Sequence, residues 1–292
     1  MIYLLIGIVC NALLFLILKY FDRLKVNTLQ AIVVNYFVAG SLGLLLSPVA
    51  FSFSSFPSKA WAWVPPVLGS LFIGIFLLLA RTAQQVSVSA ASVANKMSVI
   101  IPVMLAVWLY GDSINAVKIA GIVLALGAVF FTSRKSEASS HAAASLLWLP
   151  VVVFIGSGII DALVNYSQQR LVEKDEAALF VSCSFLFAFI LGICSVIFRL
   201  AVKKEKFQAK ALLGGLVLGL PNYFSLWGIV RALEDGLMES SMLYPVANMG
   251  IVVCSALGAF LLFREKLSRL NWLGIGLSLI AILLIAFADR IA

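Results

Sequence analysis

Lys96 is the first residue whose type and place suggest chemistry. It stands in an apolar run, Ser92-Val93-Ala94-Asn95-Lys96-Met97-Ser98-Val99-Ile100-Ile101-Pro102. A charge at membrane depth costs at least about 2.5–3.5 kcal/mol on insertion scales, so it needs a partner or a use. An ammonium facing a cavity meets a carboxylate or a phosphate. The structural alternative is a lysine that snorkels to the interface or pairs within the fold. Asp161 is the other deep charge, and it opens the series Asp161, Asn165, Gln168, Gln169. That spacing places all four on one helical face. A polar stripe on a spanning helix faces protein or water. It is either a pathway wall, with Asp161 as substrate contact or candidate proton carrier, or a helix–helix contact with Asp161 paired to Lys96.

Amides and aromatic rings fill out the set. Pro221-Asn222-Tyr223-Phe224-Ser225-Leu226-Trp227 puts Tyr223 and Trp227 four residues apart. Tyr244 and Asn248 share a face in the same way, Asn35 sits beside Tyr36, and Asn11 and Asn95 complete the amides. Apolar walls with a few convergent polar groups are the usual lining of small-molecule pockets. For Trp227, close to Arg231, an interfacial belt is the alternative. Catalytic and metal chemistry is not expected. The single His141 lies in a polar loop, and the four cysteines, Cys10, Cys183, Cys194 and Cys254, show no CxxC or Cys/His spacing. A membrane-embedded enzyme lacks its nucleophile–base pair, and no cofactor is implied.

The elements that position these residues are spanning helices. The chain has 292 residues, 63% hydrophobic and 12% charged, against about 45–50% and about 25% for soluble domains. Ten runs have spanning length: 2–20, 29–47, 63–81, 88–110, 116–133, 146–166, 177–199, 211–231, 240–263 and 270–288. Lipid offers the backbone no hydrogen bonds, so such runs are helices. The first run begins at Ile2 with no basic segment before it and is taken as a span, not a cleaved signal. The net charge of +8 is scattered among loops, where it sets orientation; a nucleic-acid partner is rejected. The expected partners are a small molecule, the lipid bilayer and, for a proton-coupled mechanism, protons.

The chain also repeats itself. At an offset of 153, Val93-Ala94-Asn95 falls on Val246-Ala247-Asn248, Asp112 on Glu265, Gly121 on Gly274 and Ala128 on Ala281. At 150, Asn11-Ala12-Leu13 falls on Asp161-Ala162-Leu163. The expected fold is an all-α integral membrane protein of ten transmembrane helices in two inverted five-helix repeats, residues 1–133 and 146–292, joined by a linker at 134–145. Spans 5 and 10, with almost nothing polar inside, are expected to buttress the others. Asp112 and Glu265 are expected to anchor loops or cap the following helix. The loops after spans 1, 3, 5, 7 and 9 carry fourteen Lys and Arg residues and the opposite side six. That bias puts the odd-numbered loops in the cytoplasm and both termini outside. The oligomeric state, monomer or homodimer, stays open.

Ten spans in two halves, with Leu109-Tyr110-Gly111-Asp112 and Leu262-Phe263-Arg264-Glu265-Lys266-Leu267 each followed by a Gly-bearing span, resemble the EamA family of the drug/metabolite transporter superfamily. Pro221-Asn222-Tyr223-Phe224-Ser225, followed by Arg231-Ala232-Leu233, looks like a segment of its bacterial members. The resemblance implies a secondary carrier of the bacterial inner membrane that exports amino acids, metabolites or drugs. It also implies, for several members, termini in the cytoplasm, against the charge count. Val93-Ala94-Asn95-Lys96 is similar to the Asn-Lys signature of nucleotide-sugar carriers, which have it in the second half of the chain. The expected function is alternating-access transport of a small polar or amphipathic metabolite, such as an amino acid or other carboxylate. Lys96 would meet the negative group. Asn11, Asn35, Asn95, Asn165, Asn222 and Asn248 would supply hydrogen bonds, Tyr223, Trp227 and Tyr244 the walls, and Asp161 a contact to an amine or a proton site. The alternatives are a nucleotide-sugar or phosphate-ester exchanger and, in another class, a channel or structural membrane protein.

Overall fold

The computed structural model describes residues 1–110, 115–133, 146–236, 240–265 and 267–291. The linker 134–145 with His141, and Asp112 and Lys266, lie outside the described residues. Among those residues the regular structure is helical: α1 (Ile2–Arg23), α2 (Thr28–Leu45), α3 (Val64–Gln85), α4 (Val88–Met97), α5 (Ile100–Tyr110), α6 (Ala116–Ser133), α7 (Trp148–Arg170), α8 (Ala177–Ala201), α9 (Ala209–Glu234), α10 (Ser240–Phe263) and α11 (Arg269–Ile291), with short 3-10 turns. Ten candidate membrane spans, long and apolar enough to cross a membrane, are found among the described residues. Side chains close the helix starts. Asn27 Oδ1 accepts the Gln30 N–H, Ser87 Oγ the Ala90 N–H, and Asn115 Oδ1 the Lys118 N–H. Each supplies an acceptor to a backbone donor that the first helical turn leaves unpaired.

The fourth span differs from expectation: it is two helices, not one. α4 ends at Met97 and α5 starts at Ile100. Pro102 explains the break. It has no N–H to give to Ser98, so a continuous ladder is lost there, and it settles into the first turn of α5, where proline is tolerated. The Ser98 carbonyl instead accepts the Ile101 N–H at 2.9 Å, one residue short of helical spacing. Ser98 Oγ donates to the Asn95 carbonyl at the end of α4.

By contacts the chain divides into two compact units. One comprises 20–77 and 160–223, and α2 packs on α8 within it. Glycines let the two backbones approach. A Cβ on Gly43 would meet Ser182, one on Gly40 would meet Leu186, and one on Gly192 would meet Val33. The order of these contacts makes the helices antiparallel, and an offset of 149 maps the Val33–Gly192 contact onto Ser182–Gly43. Tyr36, 3% exposed, donates its hydroxyl to the Phe72 carbonyl at 2.9 Å and sits among Phe72, Phe76 and Phe185. At one end the loops after spans 1 and 7 meet: Asn27 N–H donates to Gln208 Oε1 and Lys210 to the Leu24 carbonyl. At the other, the loops after spans 2 and 6 meet. Buried Glu176 accepts from Lys59 and from Trp61 Nε1.

The second unit comprises 1–19, 78–159 and 224–292. Here α6 packs on α11, and α4 lies against α6, α10 and α11. A Cβ on Gly121 would come within 2.7 Å of Ile285, and one on Gly274 within 2.7 Å of the Thr132 N. An offset of 153 carries the first contact onto the second, and this pair too is antiparallel. The loops after spans 3 and 9 come together at Val88 and Glu265, and Asn271 reaches from the start of α11 to the Phe131 and Thr132 carbonyls at the end of α6. Within each unit, odd-numbered loops touch odd-numbered loops, as alternate crossings require.

Candidate functional site

Lys96 sits in the last turn of α4. Of the ten residues of α4, only Asn95 and Lys96 are not buried. Both therefore lie, half-buried, in the last turn of a short helix whose other side chains are packed away. The end of a helix carries partial negative charge on its last carbonyls, which favours a cation there. The break thus supplies a physical reason for a lysine within a span, one that helical periodicity alone hides. Asn95 Nδ2 donates to Ser157 Oγ at 2.9 Å, and Ser157 is 3% exposed. This bond ties the end of α4 to α7 and occupies one amide donor of a residue expected to face substrate.

The other candidates of this unit are spread along α1, α9 and α10. Asn11 and Asn248 are half-buried, and Tyr244 is 51% exposed. Trp227 meets Tyr3 edge-on, with ring centroids 5.3 Å apart, and Phe224 at 5.8 Å. The Arg231 guanidinium lies 6.0 Å from its ring centroid. The close approach of α1 and α9 behind this cluster depends on Gly7 and Gly228, where a Cβ on Gly228 would come within 2.7 Å of the Gly7 N.

In the other unit Asn35 is fully buried, and Asn222 Nδ2 donates to its Oδ1 at 3.1 Å. Asn35 Nδ2 is buried without a hydrogen-bond partner among the described residues. Exchanging the two amide assignments moves the orphan atom without removing it, since two facing amides share one bond. A buried unpaired polar atom costs about 1–3 kcal/mol unless something fills it. Gly215 and Gly219 bring α9 onto α2 at this level, and a Cβ on Gly219 would lie 3.0 Å from the Asn35 carbonyl oxygen. Tyr223 follows Asn222 and is half-buried. Asp161, Asn165, Gln168 and Gln169 are all exposed, and Gln169 Nε2 donates to Asn165 Oδ1 at 2.9 Å. The stripe is therefore one continuous polar face of α7.

Outside the spans, two carboxyls carry shifted proton affinities. The hydrogen bond from Lys59, then that from Trp61, holds the Glu176 carboxyl below the usual carboxylate range, and the same contact raises Lys59. Burial raises Glu265, against the opposing effect of Lys19. Glu265 anchors its loop, as expected, but it does not cap the following helix. Ser268 and Asn271 do that for α11 through reciprocal side-chain to backbone bonds. Glu265 instead accepts the Val88 N–H at the start of α4. The sequence gives no local sign of this contact, because its partners lie 177 residues apart. Ser157 and Lys118 were missed too. Lys118, counted as a loop charge, is only 8% exposed in the first turn of α6.

Residues 1–134 match the EamA-like transporter family. The chain is similar to a protein of Haemophilus influenzae described as uncharacterized, 26% identical over 293 residues, with 99% of this chain and 98% of that one covered. A crystal structure of another protein shares the fold at a TM-score of 0.63 and 13% identity, covering 99% of this chain and 97% of that one. Members of the matched family are transporters, not enzymes. Over residues 1–134 the chain is thus similar to the EamA-like transporter family, and its ten long apolar helices, counted among the described residues, are those of a multi-pass membrane protein.

Proposed function

We propose that the protein is a secondary carrier that moves a small polar or amphipathic metabolite, an amino acid or other carboxylate, out across the bacterial inner membrane by alternating access. The observation that carries this reading is the broken fourth span. A helix interrupted inside the membrane, with a lysine at the inner end of its first segment, is the kind of element that builds midplane binding sites in secondary transporters. In this reading Lys96 takes the substrate's negative group. Asn11, Asn95 and Asn248 of the same unit offer amide contacts, and Asn35, Asn165 and Asn222 are the amide candidates of the other unit. Tyr223, Trp227 and Tyr244 bear on its apolar part, and Asp161 holds an amino group or a proton. The antiparallel packing of α2 on α8 and of α6 on α11, each symmetric under one sequence offset, supports two inverted repeats over 1–133 and 146–292.

The test is a thermal-shift screen of amino acids, carboxylates, nucleotides, sugars and phosphates against the purified protein. A ligand at a hundred times its dissociation constant stabilises by about 2.7 kcal/mol. A carboxylate or zwitterion that raises Tm in the native chain and not in Lys96→Ala supports the reading. Stabilisation by uncharged compounds alone, unchanged in that variant, contradicts it.

A further inference from the structure

Glu265 has no part in the reading above, and its surroundings are unusual. It lies in the turn between α10 and α11, with its side chain 13% exposed. Its Oε1 accepts the Val88 N–H from the first turn of α4 at 3.3 Å and lies 3.5 Å from Lys19 Nζ of α1. Its Oε2 is buried with no hydrogen-bond partner among the described residues. Lys19 is divided in its attention, since it also donates to the Gln84 carbonyl at the end of α3 at 3.0 Å. Of the other elements here, α4 contributes only that backbone N–H, and Arg264 and Arg269, in or next to Glu265's own turn, are exposed. An ionised carboxylate accepts at both oxygens. This one is served at one oxygen and meets no donor of the described residues at the other, an arrangement that suits the neutral acid better.

We propose that Glu265 is a proton-binding site of this carrier, occupied while Glu265 is seated on the start of α4 and emptied into water when Glu265 leaves that seat. The proposal rests on the transport reading and names its coupling ion. The reaction is a simple ionisation, in which the carboxyl O–H bond breaks, the electron pair stays on the carboxylate and the proton goes to solvent. Its leverage comes from α4. Val88 and Lys96 are eight residues apart, about 12 Å along one short helix, and the turn after Met97 interrupts the helix before α5. A shift at its seated end is carried to Lys96. A proton that binds more tightly to the seated form stabilises that form at low pH. As pH rises from about 4.3, the ordinary value for glutamate, to the raised value of the seated form, the fraction unseated grows by up to about tenfold per pH unit, the limit for one proton.

Hydrogen–deuterium exchange of residues 84–92 in the full chain, purified in detergent and corrected for intrinsic exchange at each pH, reads this directly. In the native chain, protection should fall as pH rises. In Glu265→Gln, a neutral isostere, protection should stay high and lose its pH dependence. Lys19→Gln removes the cation that favours the ionised form, so the transition should move to higher pH. A native chain whose protection does not vary with pH, a Glu265→Gln variant that keeps the native dependence, or a Lys19→Gln variant with an unmoved transition each overturns the proposal. No substrate is present, so failure here is distinct from failure of the carrier reading, which the Lys96→Ala screen tests separately.

Discussion

The fourth and ninth spans carry matched sequences and fold differently. Val93-Ala94-Asn95 corresponds to Val246-Ala247-Asn248, yet α10 runs unbroken over Ser240–Phe263 while its counterpart stops at Met97 and resumes at Ile100. The counterpart of Pro102 is Ser255, whose Oγ donates to the Val252 carbonyl at 3.0 Å inside a continuous helix. The counterpart of Lys96 is Met249. Break and charge thus occur together, in one copy only. Elsewhere the copies agree. Gly121 and Gly274 bring α6 and α11 together through equivalent contacts, and Ala128 and Ala281 are both fully buried. The lesson is a division of labour. Glycine contacts related by one sequence offset stitch α6 to α11, whereas the polar interruption stands in the fourth span and not in the ninth.

Ser255→Pro imposes on α10 the interruption that its counterpart has. Without a turn evolved to receive it, the proline should destabilise the protein by about 3 kcal/mol or more, read as a loss of Tm. A native Tm would show that α10 tolerates a break as α4–α5 does. The scaffold side of the comparison is sharpened by a glycine pair. Gly274→Ala places a methyl group 2.7 Å from the Thr132 N and should cost about 1–3 kcal/mol. Gly276→Ala, where a Cβ meets nothing within 4 Å, should stabilise by about 0.5–1 kcal/mol. Equal effects would dissolve the claim that glycine positions stitch α6 to α11. On the polar side, Ser157→Ala leaves Asn95 Nδ2 without its acceptor and should cost about 1 kcal/mol while lowering the selectivity of transport. The smallest effect belongs to the other unit. Glu176, with its proton affinity depressed by Lys59 and Trp61, stabilises the loops after spans 2 and 6 above the ordinary carboxylate pKa. That stability is lost as pH falls through its depressed value, so Glu176→Gln should flatten the acid limb of a Tm-against-pH curve.

The spans were legible because lipid forces an apolar run into a helix whatever its neighbours, and their expected ends lie within a few residues of the observed ones. α3 and α7 run furthest past expectation, each by four residues, to Gln85 and Arg170. The break was half legible. Pro102 announced a lost hydrogen bond, but the apolar pattern runs on through Ser98 and Val99, so two helices looked like one. Asn95 and Asn222 were recognisable as deep amides, whereas their partners Ser157 and Asn35 come from distant stretches of chain that no spacing relates. Glu265 was read as an anchor from its place in a loop. Its contact with the start of α4, and the empty oxygen beside it, depend on how four separate segments meet.

The central claim is that the cation at the broken span holds the substrate's negative group. The most direct measurement is flux, in reconstituted vesicles, of the carboxylate or zwitterion found by thermal shift, comparing the native chain with Lys96→Ala at matched protein content and Tm. Loss of saturable flux in a variant that keeps its fold is the predicted result. Native flux by Lys96→Ala would remove the lysine from the mechanism and leave the break a matter of packing alone.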